Sequence, residues 1–287
     1  MEGEIALEAR AKINLGLDVT GIREDGYHLV KMVMQSLDLH DDILIKITDE
    51  AGIKISCDKE GIPKDERNLA YKAAKLIMDE KKISAGISID IKKRIPAAAG
   101  LAGGSSDAAA VLKGINELFD LALSQKELME LGLKIGADVP YCIMLKTALA
   151  QGIGEKLTRL KDLPKCHILL AKPGLDVKTM DVYKKLDLIK DYEHPDIDSM
   201  LEALNRGDLE GICSEMGNVL ELVTESEHKE IGELKRLMKD NGALNAMMSG
   251  SGPTVFGIYS DEEKAKKTYD IIREKDFGGS LFLTYGR

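Results

Sequence analysis

An α+β fold in two lobes is what this sequence of 287 residues predicts. Strand signals group in its first third, helical stripes group in its middle, and no regular alternation of strand and helix runs through it. The strand signal has period two. Ile43, Ile45 and Ile47 alternate with other residues, as do Ile53, Ile55 and Cys57; Ile87, Ile89 and Ile91 alternate with Ser88, Asp90 and Lys92. This spacing marks half-buried strands, expected to pair antiparallel. Leu69, Ala73, Leu76 and Ile77 give a helical stripe. Ala108, Leu112, Ile115 and Phe119 share a face of a helix expected to begin near Ser105. Ser124 followed by Glu127 is a capping box for the next one. Ile197, Met200, Leu201 and Leu204, then Ile231, Leu234 and Leu237, mark two more, and the C-terminal stretch reads strand, strand, helix, strand. Composition changes over Pro164–Gly174, so the lobes are expected to span 1–155 and 156–287.

The bulk numbers exclude several classes of function. Hydrophobic residues make up 44% and charged residues 31%, as in an ordinary globular protein. Net charge is −9, which argues against a nucleic-acid partner held through its backbone phosphates. Any phosphate ligand must be gripped by a local site. Cys57, Cys142, Cys166 and Cys213 form no C-x-x-C pair and are expected to be free, buried thiols. The opening MEGEIALEAR has neither the basic nor the apolar region of a leader, and no run is long and apolar enough to span a membrane, so the cytoplasm is the expected compartment. His40, His194 and His228 lie in charged stretches and are expected to be solvated.

Two small-residue segments stand out. Pro96, Ala97, Ala98, Ala99, Gly100, Leu101, Ala102, Gly103, Gly104, Ser105 and Ser106 lie between the Ile87–Ile91 strand and the Ala108–Phe119 helix. Glycines permit positive φ and close backbone approach, and free N–H groups at a helix start favour an anion. Ser105 and Ser106 can cap the helix or bind phosphate oxygens. No Gly-Lys-Ser/Thr follows, so this is no Walker A loop, and the dinucleotide G-x-G-x-x-G arrangement is absent. The plain alternative is a tight turn with a serine cap. The second segment, Ser249, Gly250, Ser251 and Gly252, lies between two strand-like stretches and reads equally as a glycine hairpin. Pro253 places a strand start or a sheet edge there.

Residues 11–30, AKINLGLDVTGIREDGYHLV, together with these two segments resemble the three-motif pattern of the GHMP kinase superfamily, which includes galactokinase, homoserine kinase and mevalonate kinase. Within it, Ala11-Lys12-Ile13-Asn14-Leu15, Arg23 and Asp25-Gly26-Tyr27-His28 are similar to the signature of the 4-diphosphocytidyl-2-C-methyl-D-erythritol kinases. The likeness continues through Gly136-Ala137-Asp138-Val139-Pro140, Gly152-Ile153-Gly154-Glu155, Pro173-Gly174, Thr179 and Ser249–Thr254. It departs at Arg10, where proline is usual, at Ala98 and Ala102, where glycine is frequent, and at Asp107, where asparagine is common. Asp107 beside a triphosphate would repel it unless the carboxylate points away or meets a cation.

The resemblance implies a two-lobed GHMP kinase fold, with an N-terminal ATP-binding lobe and a C-terminal lobe on the substrate side. It implies ATP-dependent phosphorylation of the 2-hydroxyl of a cytidine-diphosphate-linked erythritol, in the non-mevalonate route to isoprenoid precursors. Asp138 is the implied proton acceptor, with Lys12 beside it to keep it ionised and to neutralise the transferred group. Asn14, Tyr27, His28, Asp138, Thr179 and Tyr183 are the implied substrate contacts, with Tyr27 and Tyr183 stacking on the base. The Pro96–Ser106 segment is the implied ATP cradle. Mg²⁺ is expected with no ligand assigned, and the partners are ATP and the cytidine substrate, with no nucleic acid and no membrane, in a monomer or weak homodimer. Two alternatives stand beside this: a GHMP kinase of the homoserine or mevalonate type, and a non-catalytic binding protein on the same fold.

Overall fold

The computed structural model describes residues 3–287; Met1 and Glu2, at the head of the stretch read for a leader, lie outside the described residues. In chain order the elements are β1 (Glu4–Ile22), β2 (His28–Thr48), β3 (Ile53–Cys57), α1 (Leu69–Glu80), β4 (Gly86–Lys92), α2 (Gly103–Leu118), α3 (Gln125–Leu133), α4 (Val139–Met144), β5 (Thr147–Gly152), β6 (Lys156–Arg159) and β7 (His167–Lys172). There follow α5 (Thr179–Leu186), α6 (Ile197–Arg206), α7 (Leu209–Ser214), β8 (Gly217–Asn218), α8 (Glu221–Glu227), α9 (Lys229–Asp240), β9 (Asn245–Met248), β10 (Val255–Tyr259), α10 (Glu262–Lys275) and β11 (Ser280–Tyr285). They form two compact units, each assembled from separated stretches. The first holds residues 3–11, Leu39–Ala97 and Ala102–Leu145; the second holds Lys12–Asp38, Ala98–Leu101 and Lys146–Arg287.

In the first unit the period-two isoleucines meet directly. Ile43, Ile45 and Ile47 of β2 stand opposite Ile91, Ile89 and Ile87 of β4, antiparallel. Ile53, Ile55 and Cys57 of β3 stand opposite the same Ile87, Ile89 and Ile91. That second pairing is parallel, not antiparallel as the alternation suggested. The reason is the connection: β3 reaches β4 through α1, and a helical crossover returns the chain in its original direction. Period two reports which face is buried and is silent on strand direction. Ile43, Ile45, Ile87, Ile89 and Ile91 are buried and Ile47, Ile53 and Ile55 half-buried; Ala70, Ala73, Ala74 and Ile77 of α1 and Val111, Leu112 and Ile115 of α2 are buried too. Gly114 lets α2 lie flat, since a Cβ there would stand 2.6 Å from Ile45 Cδ1 and 2.7 Å from Leu7 Cδ1. The capping box at α3 is formed as expected: Ser124 and Glu127 bond each other's backbone N–H groups. The start of α2 differs from expectation. Its N-cap is Ala102, at φ 58°, and Ser105 and Ser106 lie inside the helix with no capping role.

The second unit contains an antiparallel sheet in the order β11-β7-β10-β9, its central β10 buried along its whole length and backed by α9 and α10. Val255 stands opposite Met248, so residues 249–254 form the connection between β9 and β10, and β9 lies at the sheet edge, as Pro253 indicated. In the same unit Val30–Gln35 of β2 pair antiparallel with β5, and Gly16 and Leu17 of β1 pair parallel with β8. All four cysteines are buried and none is in a disulfide. Burial pushes the Cys166 and Cys213 thiols up to about 12. Of the histidines read as solvated, His194 is exposed and also paired, whereas His40 is half-buried. His194 Nδ1 lies 2.7 Å from Asp18 Oδ1, and His40 sits among Glu8, Asp42 and Arg94, its Nε2 3.1 Å from Arg94 Nη1. Among the described residues no helix is long and apolar enough to cross a membrane.

Candidate active site

In the second unit, three segments far apart in sequence converge. Lys12 and Asn14 share one side of β1, two residues apart. Lys12 Nζ donates to Asn14 Oδ1 at 2.8 Å and to the Gly100 carbonyl at 2.9 Å, and its backbone N–H donates to the Leu101 carbonyl at 3.1 Å. The Ser249 hydroxyl donates to the same Gly100 carbonyl at 3.0 Å. Gly100 has φ 73°, and a Cβ there would stand 2.1 Å from the Ser249 carbonyl oxygen. No other residue fits that position. Gly250 closes the cluster, with the place of its missing Cβ 3.4 Å from Lys12 Nζ. The Gly/Ser turn thus is a hairpin connection and also a wall around a buried lysine.

Residues with no local sequence signal hold that turn. Asn218 donates to the carbonyls of Met248 and Gly250 at 2.9 and 2.8 Å, and its own side-chain oxygen accepts from the Leu220 N–H. Glu221 accepts from the Met248 N–H at 2.7 Å, and the Thr224 hydroxyl donates to the Ser251 carbonyl. Burial raises the Glu221 carboxyl above its ordinary value, against the pull of Lys235 at 2.9 Å. Thr179, expected as a substrate anchor, lies with its hydroxyl 2.8 Å from that of Ser251.

A ring cluster lies in the same unit. His28 and Tyr183 face each other, ring centroids 4.6 Å apart and planes inclined by 37°. Asp187, unmarked in the sequence, lies 2.8 Å from His28 Nε2 and orients the imidazole, leaving Nδ1 as its other polar edge. Tyr27 follows the Asp25-Gly26 turn and is 60% exposed, its ring free for a planar ligand.

The start of α2 and the Gly136–Pro140 turn lie in the first unit. Because Ala102 has no side-chain acceptor, the N–H groups of Gly103, Gly104 and Ser105 receive no cap; the first N–H paired within the helix is that of Ser106, to the Ala102 carbonyl. Three open donors at the positive end of a helix suit a phosphate. Ser105 is partly exposed beside them, while the Ser106 hydroxyl turns inward and donates to the Arg10 carbonyl at 2.6 Å. Ala98 and Ala102 both occupy positive φ, at 50° and 58°, which explains why glycine is frequent there. Gly103 has another reason to lack a side chain, since its Cβ would stand 3.0 Å from Ile95 and 3.3 Å from Lys93 Nζ. Asp138 is the residue before α4, partly buried, and its carboxylate does not cap that helix.

Asp107 does not face the open donors. Its Oδ2 accepts from Lys93 Nζ at 2.7 Å, and Lys93 also bonds Asp41. Burial pushes the Asp107 carboxyl up to about 7, against Lys93 and helped by the charge of Asp41. Burial also opposes the Lys93 charge, but the two carboxylates outweigh it and hold its value above that of an ordinary lysine.

The family model described as GHMP kinases N terminal domain matches residues 68–146, and that described as GHMP kinases C terminal matches residues 200–276. The chain is 52% identical over 280 residues to the 4-diphosphocytidyl-2-C-methyl-D-erythritol kinase of Lachnospira eligens, covering 98% of this chain and 97% of the relative. It superposes on a crystal structure of 4-(cytidine 5'-diphospho)-2C-methyl-D-erythritol kinase with a TM-score of 0.84 and 32% identity, over 99% of this chain and 100% of the other. Homoserine kinase from Cytophaga hutchinsonii superposes with a TM-score of 0.80 at 20% identity, a likeness of fold alone, over 100% of this chain and 95% of the other. The motifs that converge here therefore sit in an ATP-dependent small-molecule kinase with the GHMP fold, and at this identity over nearly its full length the chain belongs to the 4-diphosphocytidyl-2-C-methyl-D-erythritol kinase family.

Proposed function

We propose that this kinase transfers the γ-phosphoryl group of ATP to the 2-hydroxyl of 4-diphosphocytidyl-2-C-methyl-D-erythritol, a step toward isoprenoid precursors. The observation that carries the reading is the meeting of Lys12, Gly100 and Ser249 within hydrogen-bond distance. A pure binding protein has no need to bury a lysine among backbone carbonyls. Phosphoryl transfer needs positioning and charge stabilisation more than covalent chemistry. Asp138 accepts the hydroxyl proton. An alcohol has a pKa of about 15–16 and a carboxylate about 4, so full deprotonation before attack would cost about 15 kcal/mol. Asp138 therefore orients the hydroxyl and takes its proton late, as the new P–O bond forms. Lys12 is held by Asn14 and Gly100 and supplies positive charge to the transferred group.

The N–H groups of Gly103, Gly104 and Ser105 cradle phosphate oxygens, within Pro96–Ser106 as the ATP-binding segment. Ser106 supports this from inside, through its bond to Arg10. Tyr27 stacks on the cytosine, and the His28–Tyr183 pair presents a ring face and a polar edge to it. Thr179 anchors a polar group near Ser251. Mg²⁺ is the proposed cation; bound with ATP, it would neutralise charge on the phosphates. The proposed lobe boundary is 155/156, with the ATP-binding segment N-terminal to it. The enzyme is proposed to work in the cytoplasm, as a monomer or weak homodimer.

The test is ADP release. The cytidine-linked erythritol should support turnover, while homoserine and mevalonate should give only background. Turnover on either of those instead would sink the substrate assignment.

A further inference from the structure

One buried chain of charges ties together the two stretches that flank the glycine-rich segment. Asp41 of β2 is 0% exposed. Its carboxylate accepts from the backbone N–H groups of Arg94 at 2.5 Å and Ile95 at 2.8 Å, and from Lys93 Nζ. Lys93 donates onward to Asp107 of α2. Residues 93–95 lead out of β4 into Pro96, and Asp107 lies one turn into the helix whose first N–H groups are open. Lys93 and Ile95 also form the surface against which Gly103 packs. All these residues belong to the first unit.

Stability alone gives no reason for the arrangement. Two carboxylates and an ammonium lose their water, and Asp107 Oδ1 is buried with no hydrogen-bond partner. Replacing a buried ion triad by packed apolar residues is often neutral or stabilising. A buried network does fix geometry, because each donor and acceptor has one low-energy place.

We propose that Asp41, acting through Lys93 and Asp107, is a positioning residue for ATP. It sets residues 93–95 against the first turn of α2 and so fixes where the N–H groups of Gly103, Gly104 and Ser105 point. Being fully buried, Asp41 acts through the backbone it holds. The inference rests on the reading of those N–H groups as the phosphate cradle.

Steady-state kinetics on the full chain tests it, with Michaelis constants for ATP and for the cytidine substrate measured separately and folding checked by circular dichroism. Asp41→Asn sets a donor amide against the Lys93 ammonium. It should raise the ATP constant at least tenfold and leave the cytidine constant within twofold. Asp107→Leu should raise the ATP constant similarly, whereas Asp107→Asn, which still accepts from Lys93, should return it to within threefold of wild type. An unchanged ATP constant in folded Asp41→Asn overturns the proposal, as does an equal rise in both constants. If Asp41→Asn does not fold, the Asp107 pair decides, and identical behaviour of the leucine and asparagine variants overturns it. Gly104→Asp separates the two readings, because it places a charge at the open donors without touching the clamp. If that variant raises the ATP constant and Asp41→Asn does not, the clamp fails and the cradle stands. If Gly104→Asp leaves ATP affinity unchanged, both fall.

Discussion

Asp138 and Lys12 are the residues on which the chemistry is expected to turn. Asp138→Asn keeps the shape of the side chain and removes the proton acceptor; Lys12→Met keeps its length and removes the charge. Each should lower kcat by on the order of 10²–10⁴ with smaller effects on substrate affinity, since each group matters more to the transition state than to the bound ground state. Near wild-type turnover in Asp138→Asn would leave a kinase that works by positioning alone. Asp107 raises a separate question of pH. Its carboxyl is pushed from 3.8 to about 7, first by burial. The folded state thus holds the proton more tightly than the unfolded chain, and stability falls as pH rises from about 4 through 7. Asp107→Asn removes that slope. At pH 8 the variant should unfold roughly 3–8 °C above wild type, the scale of about 1–3 kcal/mol for relieving a buried unpaired group. At pH 5 the two should nearly coincide. Thermal scans at both pH values check this, and equal midpoints at pH 8 would mean that Asp107 titrates as an ordinary carboxylate.

The start of α2 is where a single element is expected to decide ATP binding. A helix capped by Asn68, like α1, or by Ser124, like α3, gives its first N–H groups to its own side chain. Ala102 leaves them open. Gly104→Asp should therefore favour the isolated helix, since a carboxylate in the first turn complements its dipole by about 0.3–1 kcal/mol. The same charge should repel ATP and raise its Michaelis constant at least tenfold. A Cβ at Gly104 meets only Leu69, at 3.5 Å, so the fold accommodates it. Stability gained with ATP affinity lost would mark the turn as a ligand site; ATP affinity retained would mark it as a bare helix end.

At the scale of the whole molecule, ligand binding should appear as stability. A ligand that binds only the folded chain adds about 2.7 kcal/mol at a hundred times its dissociation constant. CDP and ATP should each raise the unfolding midpoint by several degrees, and His28→Ala should abolish the effect of CDP while sparing that of ATP. Loss of the ATP effect instead would assign the rings to the wrong nucleotide. Much of this protein was legible without coordinates. The isoleucine rows, the capping box at Ser124, the edge position implied by Pro253 and the segments around Lys12, Gly100 and Ser249 all follow from period, side-chain chemistry or motif, which act over a few residues. The parallel pairing of β3 with β4 was not legible, because alternation encodes a buried face and not a direction. Nor was the cap at Ala102 or the inward turn of Ser106, since both depend on what lies beneath the helix. Asn218, Glu221 and Asp187 act on partners whose positions the local sequence does not announce. Asp41 meets Lys93 across 52 residues, and Ser249 meets Gly100 across 149. The sequence by itself determined the family's motifs and which faces are buried; which distant groups share a proton, a charge or a carbonyl was decided only when the tertiary fold set them at hydrogen-bond distance, where burial makes each such meeting obligatory.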